Sequence, residues 1–302
     1  LIALRIIAKE LNFSDVSRLS LVPRHECEFI FYEFCNSMVE KYFKKFVYFP
    51  KEETEIKKLH QIYAMMGFPG VYGSFDLIRI RWEKCPSTME SLFKRNFDPS
   101  LSFPLIVDHN RNILHIGKIY SGSKQINEVI SSRFLVSFLE GHLPRLRYNV
   151  YDQAGQMFTT SRSCFIGKEI YGNYFLLAKT YSGMRDVKYE AFLEALFRDV
   201  AEVYEMLRAR FRILEHLGNF SDFNHIENIL KTCSIIHNFD LKHHELSICN
   251  WEKNMNWKLY HPDVTEDSIT DNQFETIPEY QITIHEQEIL EARYLESSDY
   301  LE

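Results

Sequence analysis

The sequence lacks several features that define common protein classes. No apolar run approaches the roughly 20 residues that a membrane-spanning helix needs, and the first residues lack the charged start and apolar stretch of a signal peptide. Six cysteines are scattered without a CxxC pair, which argues against a zinc knuckle and, in 302 residues, against a disulfide framework. These absences predict a soluble, intracellular protein with no membrane partner.

Basic residues are scarce at the end of the chain. Residues 261–302 contain twelve acids and one base, Arg293, a charge of −11 within an overall −7, which leaves +4 for residues 1–260. A mildly basic body is compatible with DNA contact, whereas an acidic tail repels DNA. We predict a helical region at 1–66, an α/β domain at 67–244 and a flexible acidic tail at 245–302.

The first part has the period of α-helices. It reads as LIALRIIAKEL, a short helix with Ser14 as its N-cap, and a longer helix from about 24 to 46 that follows Pro23. This spacing is typical of a helix-turn-helix, and equally of an ordinary three-helix cap. The start of the third helix carries Glu26, Glu28 and Glu33, which is poor chemistry for reading a phosphate-lined groove.

From Val71 the period changes to that of strands. The pattern predicts strands at about 71–82, 102–108, 113–120, 164–167 and 173–179, with HNRN as the turn between the second and the third. Helices are predicted at about 124–140, 188–214 and 224–239. By analogy this order indicates an RNase H-like α/β core, in which helices flank a mixed five-stranded sheet.

One carboxylate stands out within the first predicted strand. Alternation places Asp76 on the more apolar face, which comprises Tyr72, Ser74, Asp76, Ile78, Ile80 and Trp82. A carboxylate there is costly unless it is paired, hydrogen-bonded or bound to a metal. Asp76 is therefore either a structural ion-paired residue or part of a metal site, and in RNase H-like folds an aspartate at this place belongs to the metal site.

Several stretches resemble the DDE transposases of the PIF/Harbinger superfamily. In chain order they are ALRIIAKELNFSDVSRLS, GFPGVYGSFD with IRWEKCP, FPLIVDHNRNIL, SGS at 121–123, RDVAEVYEMLRARFRIL and CSIIHN at 233–238. The resemblance covers residues 1 to about 244. It implies a nuclear protein that cleaves and joins DNA, works with a Myb-like accessory protein and uses no small-molecule cofactor.

The resemblance also implies a site of three acids that holds two Mg²⁺ or Mn²⁺ ions for strand cleavage and transfer. Asp76 matches the first acid. The second acid position is occupied by Lys168, the third by Ala201, and a further family aspartate by Ile126. Together these replacements indicate a protein without nuclease activity, at most a scaffold that binds DNA or protein and needs no metal.

Two expectations follow from these replacements. Lys168 stands where a metal ligand would be, so we expect it to form an ion pair with Asp76. The alternative is an active, metal-dependent DNA endonuclease in which Asp76 acts with displaced acids, namely Glu169 beside Lys168 and either Glu202 or Glu205 near Ala201. Beside this site, a basic edge that could bind DNA is predicted from Arg79, Arg81, Lys84, Lys94 and Arg95.

Overall fold

A computed structural model describes residues 1–65, 68–94, 98–124, 147–151, 156–160, 163–167, 177–178 and 187–243. Their elements form a mixed α/β fold in which helices flank a mixed sheet, which confirms the predicted class. The chain divides into two compact units. The first contains the described residues of Leu1–Phe49, Phe75–Val129 and Arg198–Ser247, and the second those of Pro50–Ser74 and Ile130–Phe197.

Three helices open the first unit: α1 (Ile2–Lys9), α2 (Phe13–Ser20) and α3 (Arg24–Phe46). They pack on one another around Ile6, Ile7, Val16, Cys27 and Phe31. The bounds of α3 are as the sequence predicts. The prediction that Ser14 caps α2 was wrong, because Asn12 Oδ1 accepts the Asp15 backbone N–H at 2.9 Å.

The sheet has the strand order β3-β2-β1-β7-β8, and β4 also pairs with β2. The bounds are β1 Val71–Arg81, β2 Ser100–Val107, β3 Ile113–Ile116, β4 Tyr120–Ser121, β7 Cys164–Ile166 and β8 Leu177–Ala178. Strand β2 is antiparallel to β3 and β4, whereas β7 is parallel to both β1 and β8. The predicted strands are thus present, although the third ends at Ile116 and the fifth is described only at 177–178.

Burial along β1 changes at Asp76. Every residue from Val71 to Asp76 is buried, whereas from Leu77 to Arg81 the apolar side chains at 78 and 80 are buried and the arginines are exposed. The predicted alternation therefore holds only for the second half of the strand, which lies in the first unit. The first half is covered on both faces, and its residues 71–74 lie in the second unit.

Three elements were not predicted. They are α4 (Glu53–Met65), the short helix α5 (Glu90–Phe93) and a separate antiparallel hairpin of β5 (Tyr148–Tyr151) with β6 (Met157–Thr160). In the second unit, the ring of His60 on α4 lies between those of Tyr72 and Tyr148, at centroid distances of 6.0 and 4.9 Å. The helix predicted at about 124–140 falls mostly outside the described residues.

The last two helices are α6 (Val187–Arg210), which belongs to the first unit from Arg198 onward, and α7 (Phe223–His243). A 3₁₀ stretch at Arg212–Asn219 joins them. The sequence predicted one helix through residue 214, but regular helix ends at Arg210. The 3₁₀ stretch lies against the end of β1, where a Cβ on Gly218 would stand 2.1 Å from the Arg81 carbonyl oxygen. Helix α7 packs along α3.

Candidate active site

Asp76 occupies the middle of β1 and is 4% exposed. Its Oδ1 accepts the backbone N–H of Leu77 at 2.8 Å. A buried carboxylate at this point of the strand agrees with the reasoning that singled the residue out. The predicted partner Lys168 lies outside the described residues, as do Glu169 and Ile126, so the Asp76–Lys168 ion pair stays a prediction.

Helix α6 carries the predicted third acid position on its exposed side. Ala201 is exposed there, and a methyl group can neither bind a metal nor move a proton. Glu202, one residue further on, forms an ion pair with Arg111 of the β2–β3 turn. Glu205 pairs instead with Arg208 one turn along the same helix, at 3.2 Å. Both proposed substitute acids on α6 therefore already have a guanidinium partner.

The β2–β3 turn is fixed by Asp108, a residue that the sequence reasoning did not single out. Asp108 Oδ1 accepts the backbone N–H groups of Asn110 at 2.9 Å and Asn112 at 2.8 Å, and Oδ2 accepts the Asn112 side-chain amide at 2.9 Å. This network holds Arg111 in the left-handed region, at φ 63°. The predicted HNRN turn is confirmed, and its geometry explains how Arg111 meets α6.

Asp199 is a further acid on α6 whose pKa is influenced by the Arg111 charge. Burial raises the pKa of Asp199 to about 8; Arg111 opposes the rise, whereas the charges of Glu202 and Asp108 add to it. Burial also raises the pKa of Asp108, although its hydrogen bonds to Asn112 and Asn110 oppose this. The pKa of Asp199 thus responds to the charges of Arg111, Glu202 and Asp108. The role of Asp108 in the turn had a signal in the sequence, because Asn residues stand two and four positions after it. This order is typical of a turn that an aspartate side chain caps.

The CSIIHN stretch supports this turn from α7. His237 Nε2 lies 3.0 Å from the Arg111 carbonyl oxygen, and burial lowers the pKa of His237 to about 4, so the ring is neutral at pH 7. Arg111 is therefore held at both ends, since its guanidinium pairs with Glu202 and its carbonyl oxygen contacts a neutral imidazole. Among the described residues, no group of three or more His, Cys, Asp or Glu side chains has the arrangement of a metal site.

The predicted basic edge is partly neutralised. Arg81 forms an ion pair with Asp98 at 3.2 Å, and Lys94 forms one with Glu90 at 3.5 Å. Arg79 and Lys84 are exposed, and Arg95 lies outside the described residues. The described part of the edge thus contains two arginines and two lysines. One arginine and one lysine among them are paired with a nearby acid.

In the described part of the chain, every helix is too short or too polar to cross a membrane. No curated protein and no solved structure matches the chain. The model of the family described as plant transposon protein matches residues 44–245, about two thirds of the sequence. This chain belongs to the plant transposon protein family.

Proposed function

We propose that this transposon-derived protein is a member of the DDE superfamily, of PIF/Harbinger type, that has lost metal-dependent nuclease activity and acts as a DNA- or protein-binding scaffold. The observation that carries the proposal is the state of α6, where Ala201 stands at the position that the resemblance gives to the third acid and Glu202 forms an ion pair with Arg111. Nuclear location and a Myb-like partner belong to the same proposal and rest on the sequence resemblance alone.

The strand order supports an RNase H-like core. An antiparallel β2–β3 hairpin stands on one side of β1, and the parallel strand β7 stands on the other. Asp76 lies midway along β1, and α6 follows the sheet in the chain. These features match the order of elements from which the core was inferred, and they support the proposed role of Asp76 as a remaining first acid.

The described residues do not fit a pair of divalent ions. Two such ions need several oxygen ligands that are free to coordinate. Glu202 would have to leave Arg111, and the guanidinium would then remain beside the incoming cations. Glu205 would have to leave Arg208 in the same way. The alternative, an active endonuclease that uses Asp76 with displaced acids, must therefore break existing ion pairs before it can bind metal.

The proposal is tested by calorimetric titration of the protein with Mn²⁺, with the Asp76→Asn variant as control. We expect no saturable heat at millimolar metal in either protein. Saturable binding by the natural sequence that is lost in Asp76→Asn would overturn the proposal and favour the active endonuclease. Substitution of Glu169, Glu202 and Glu205 by glutamine would then identify the ligands.

A second variant tests the residue assignments independently. Restoring the family acids with Lys168→Asp and Ala201→Glu should create Mn²⁺ binding that again depends on Asp76, because three oxygen ligands would then stand at the family positions. Circular dichroism before titration establishes that the variant is folded. A folded variant that binds no metal would contradict the placement of the second and third acids.

A further inference from the structure

Helix α3 carries an exposed stripe along its whole length. At 100° per residue, eight positions lie within about 60° of one line along the helix: Glu26, Phe29, Ile30, Glu33, Ser37, Glu40, Lys41 and Lys44. All are exposed except the half-buried Ser37. Phe29 is 67% exposed and Ile30 is 39% exposed. Two large apolar side chains on an otherwise charged face indicate an interaction surface.

The opposite side of α3 is already occupied. Cys27, Phe31 and Cys35 are buried there, and α7 packs along that side. The Asn228 side-chain amide, for example, donates to Asn36 Oδ1 at 2.8 Å, and the Thr232 hydroxyl lies 3.4 Å from the Cys35 carbonyl oxygen. The exposed stripe is therefore not the face by which α3 joins its own core.

Charge along the stripe changes sign from one end to the other. The first half carries Glu26 and Glu33 and no base, whereas the second half carries Lys41 and Lys44 against one acid, Glu40. Such a stripe is complementary to itself when reversed, because the acidic half of one helix then faces the basic half of the other. DNA is a poor occupant, since the acidic half and its apolar side chains would face phosphates.

We propose that α3 is the contact surface of a homodimer, in which it packs antiparallel against α3 of a second copy of this chain. A two-fold axis that passes near residue 35 places Glu26 of each copy opposite Lys44 of the other. The two residues are 18 positions apart, or about 27 Å along the helix, so the two ion pairs lie at opposite ends of the contact.

The apolar residues fit the same register. Ile30 lies on the same side of the stripe as Lys41, and Phe29 lies on the same side as Glu40, so each apolar side chain meets the aliphatic stem of a charged residue of the other copy. Ser37 lies close to the axis, where its small side chain lets the helices approach to the usual 8–10 Å. A contact of one helix from each copy is small, so the dimer is weak and sensitive to salt.

The test uses sedimentation equilibrium of the 302-residue chain at micromolar to millimolar concentrations. The natural sequence should dimerise reversibly. Glu26→Lys alone and Lys44→Glu alone should each raise the dissociation constant at least about tenfold, since each reversal breaks both symmetric ion pairs. The matched controls are Lys51→Glu and Glu52→Lys, which reverse exposed charges outside α3 and should leave dimerisation unchanged.

Mixing the two α3 variants distinguishes the antiparallel α3 homodimer from the binding of another partner to α3. In a heterodimer, the lysine introduced by Glu26→Lys would face the glutamate introduced by Lys44→Glu at one end of the contact. At the other end, the unchanged Lys44 of the first variant would face the unchanged Glu26 of the second. A heterodimer should therefore form more tightly than the homodimer of either variant, and this recovery also shows that both variants are folded. A natural sequence that stays monomeric, a dimer that neither reversal weakens, or a mixture without recovery would overturn the proposal.

Discussion

Asn238 ties three parts of the first unit together through one side chain. Its Oδ1 accepts the Ile113 backbone N–H at 2.9 Å, and its Nδ2 donates to the carbonyl oxygens of Ile113 at 2.8 Å and Phe46 at 2.7 Å. The residue is 5% exposed, so the backbone groups of β3 and α3 that it satisfies have little access to water. Its role is to join α7 to the strand and to the end of α3.

We predict that Asn238→Leu lowers the free energy of unfolding by about 2–4 kcal/mol, because the substitution leaves buried backbone groups without partners. Urea unfolding followed by circular dichroism measures the change. The matched control is Asn228→Leu on the same helix, where the lost bond to Asn36 is exposed and the change should stay within about 0.5 kcal/mol. Equal losses of unfolding free energy in the two variants would contradict the role of Asn238 as the partner of buried backbone groups.

At the scale of elements, local patterns carried the prediction of α3, β1 and the β2–β3 turn. Each has a signal within a few residues: a helical period after Pro23, a strand period, and the turn residues HNRN between two strand patterns. Helix α4 also has such a signal, because Leu59, Tyr63 and Ala64 share one buried face, and it could have been predicted.

The β5–β6 hairpin and the Arg111 site could not be predicted in this way. Strand β6 has no buried residue, and Met157 on it is 54% exposed, so the strand lacks the apolar face from which strands are recognised. The Arg111–Glu202 contact joins residues 91 positions apart. Local spacing has no information on such a contact, whereas burial of Asp76 followed from its neighbours within one strand.

The exposed end of β1 gives the DNA-binding part of the proposed function a test. Arg79 forms no ion pair with the described residues, whereas Arg81 pairs with Asp98. We predict that Arg79→Ala weakens DNA binding and lowers the slope of log affinity against log salt by about one, the effect of one lost phosphate contact. Fluorescence anisotropy with a duplex at several salt concentrations measures both quantities.

Arg81→Ala is the matched control for that prediction. Its side chain is also exposed on β1, but the guanidinium is already partly neutralised, so its removal should change the affinity and the slope less than Arg79→Ala does. Equal effects of the two substitutions would show that the ion pair with Asp98 does not reduce the contribution of Arg81 to DNA binding. A natural sequence that binds no duplex at low salt would remove DNA from the proposed function and leave protein partners.

At the scale of the whole molecule, each compact unit contains a buried histidine that is kept neutral. Burial lowers the pKa of His60 in the second unit and of His237 in the first unit to about 4. Because the unfolded value is about 6.5, stability from these groups is lost as the pH falls from there towards 4. Asp199 acts in the opposite direction, since its raised pKa means that stability is lost as the pH rises from about 4 to 8. These three groups together therefore favour a slightly acidic pH.

His60 allows the acid side of this balance to be measured. Its ring is 3% exposed, and its Nε2 has no hydrogen-bond partner in the described part of the chain. Protonation of His60 therefore favours the unfolded state. We predict that His60→Phe, which keeps an aromatic ring between Tyr72 and Tyr148, reduces the loss of unfolding free energy between pH 7.5 and pH 4.5 by about 2–3 kcal/mol. Urea unfolding at both pH values gives the free energies of unfolding of the natural sequence and of His60→Phe. The control for the replacement of an imidazole by a phenyl ring is His25→Phe, at an exposed position. A His60→Phe variant that loses as much stability as the natural sequence over this range would show that the imidazole is not held neutral by burial.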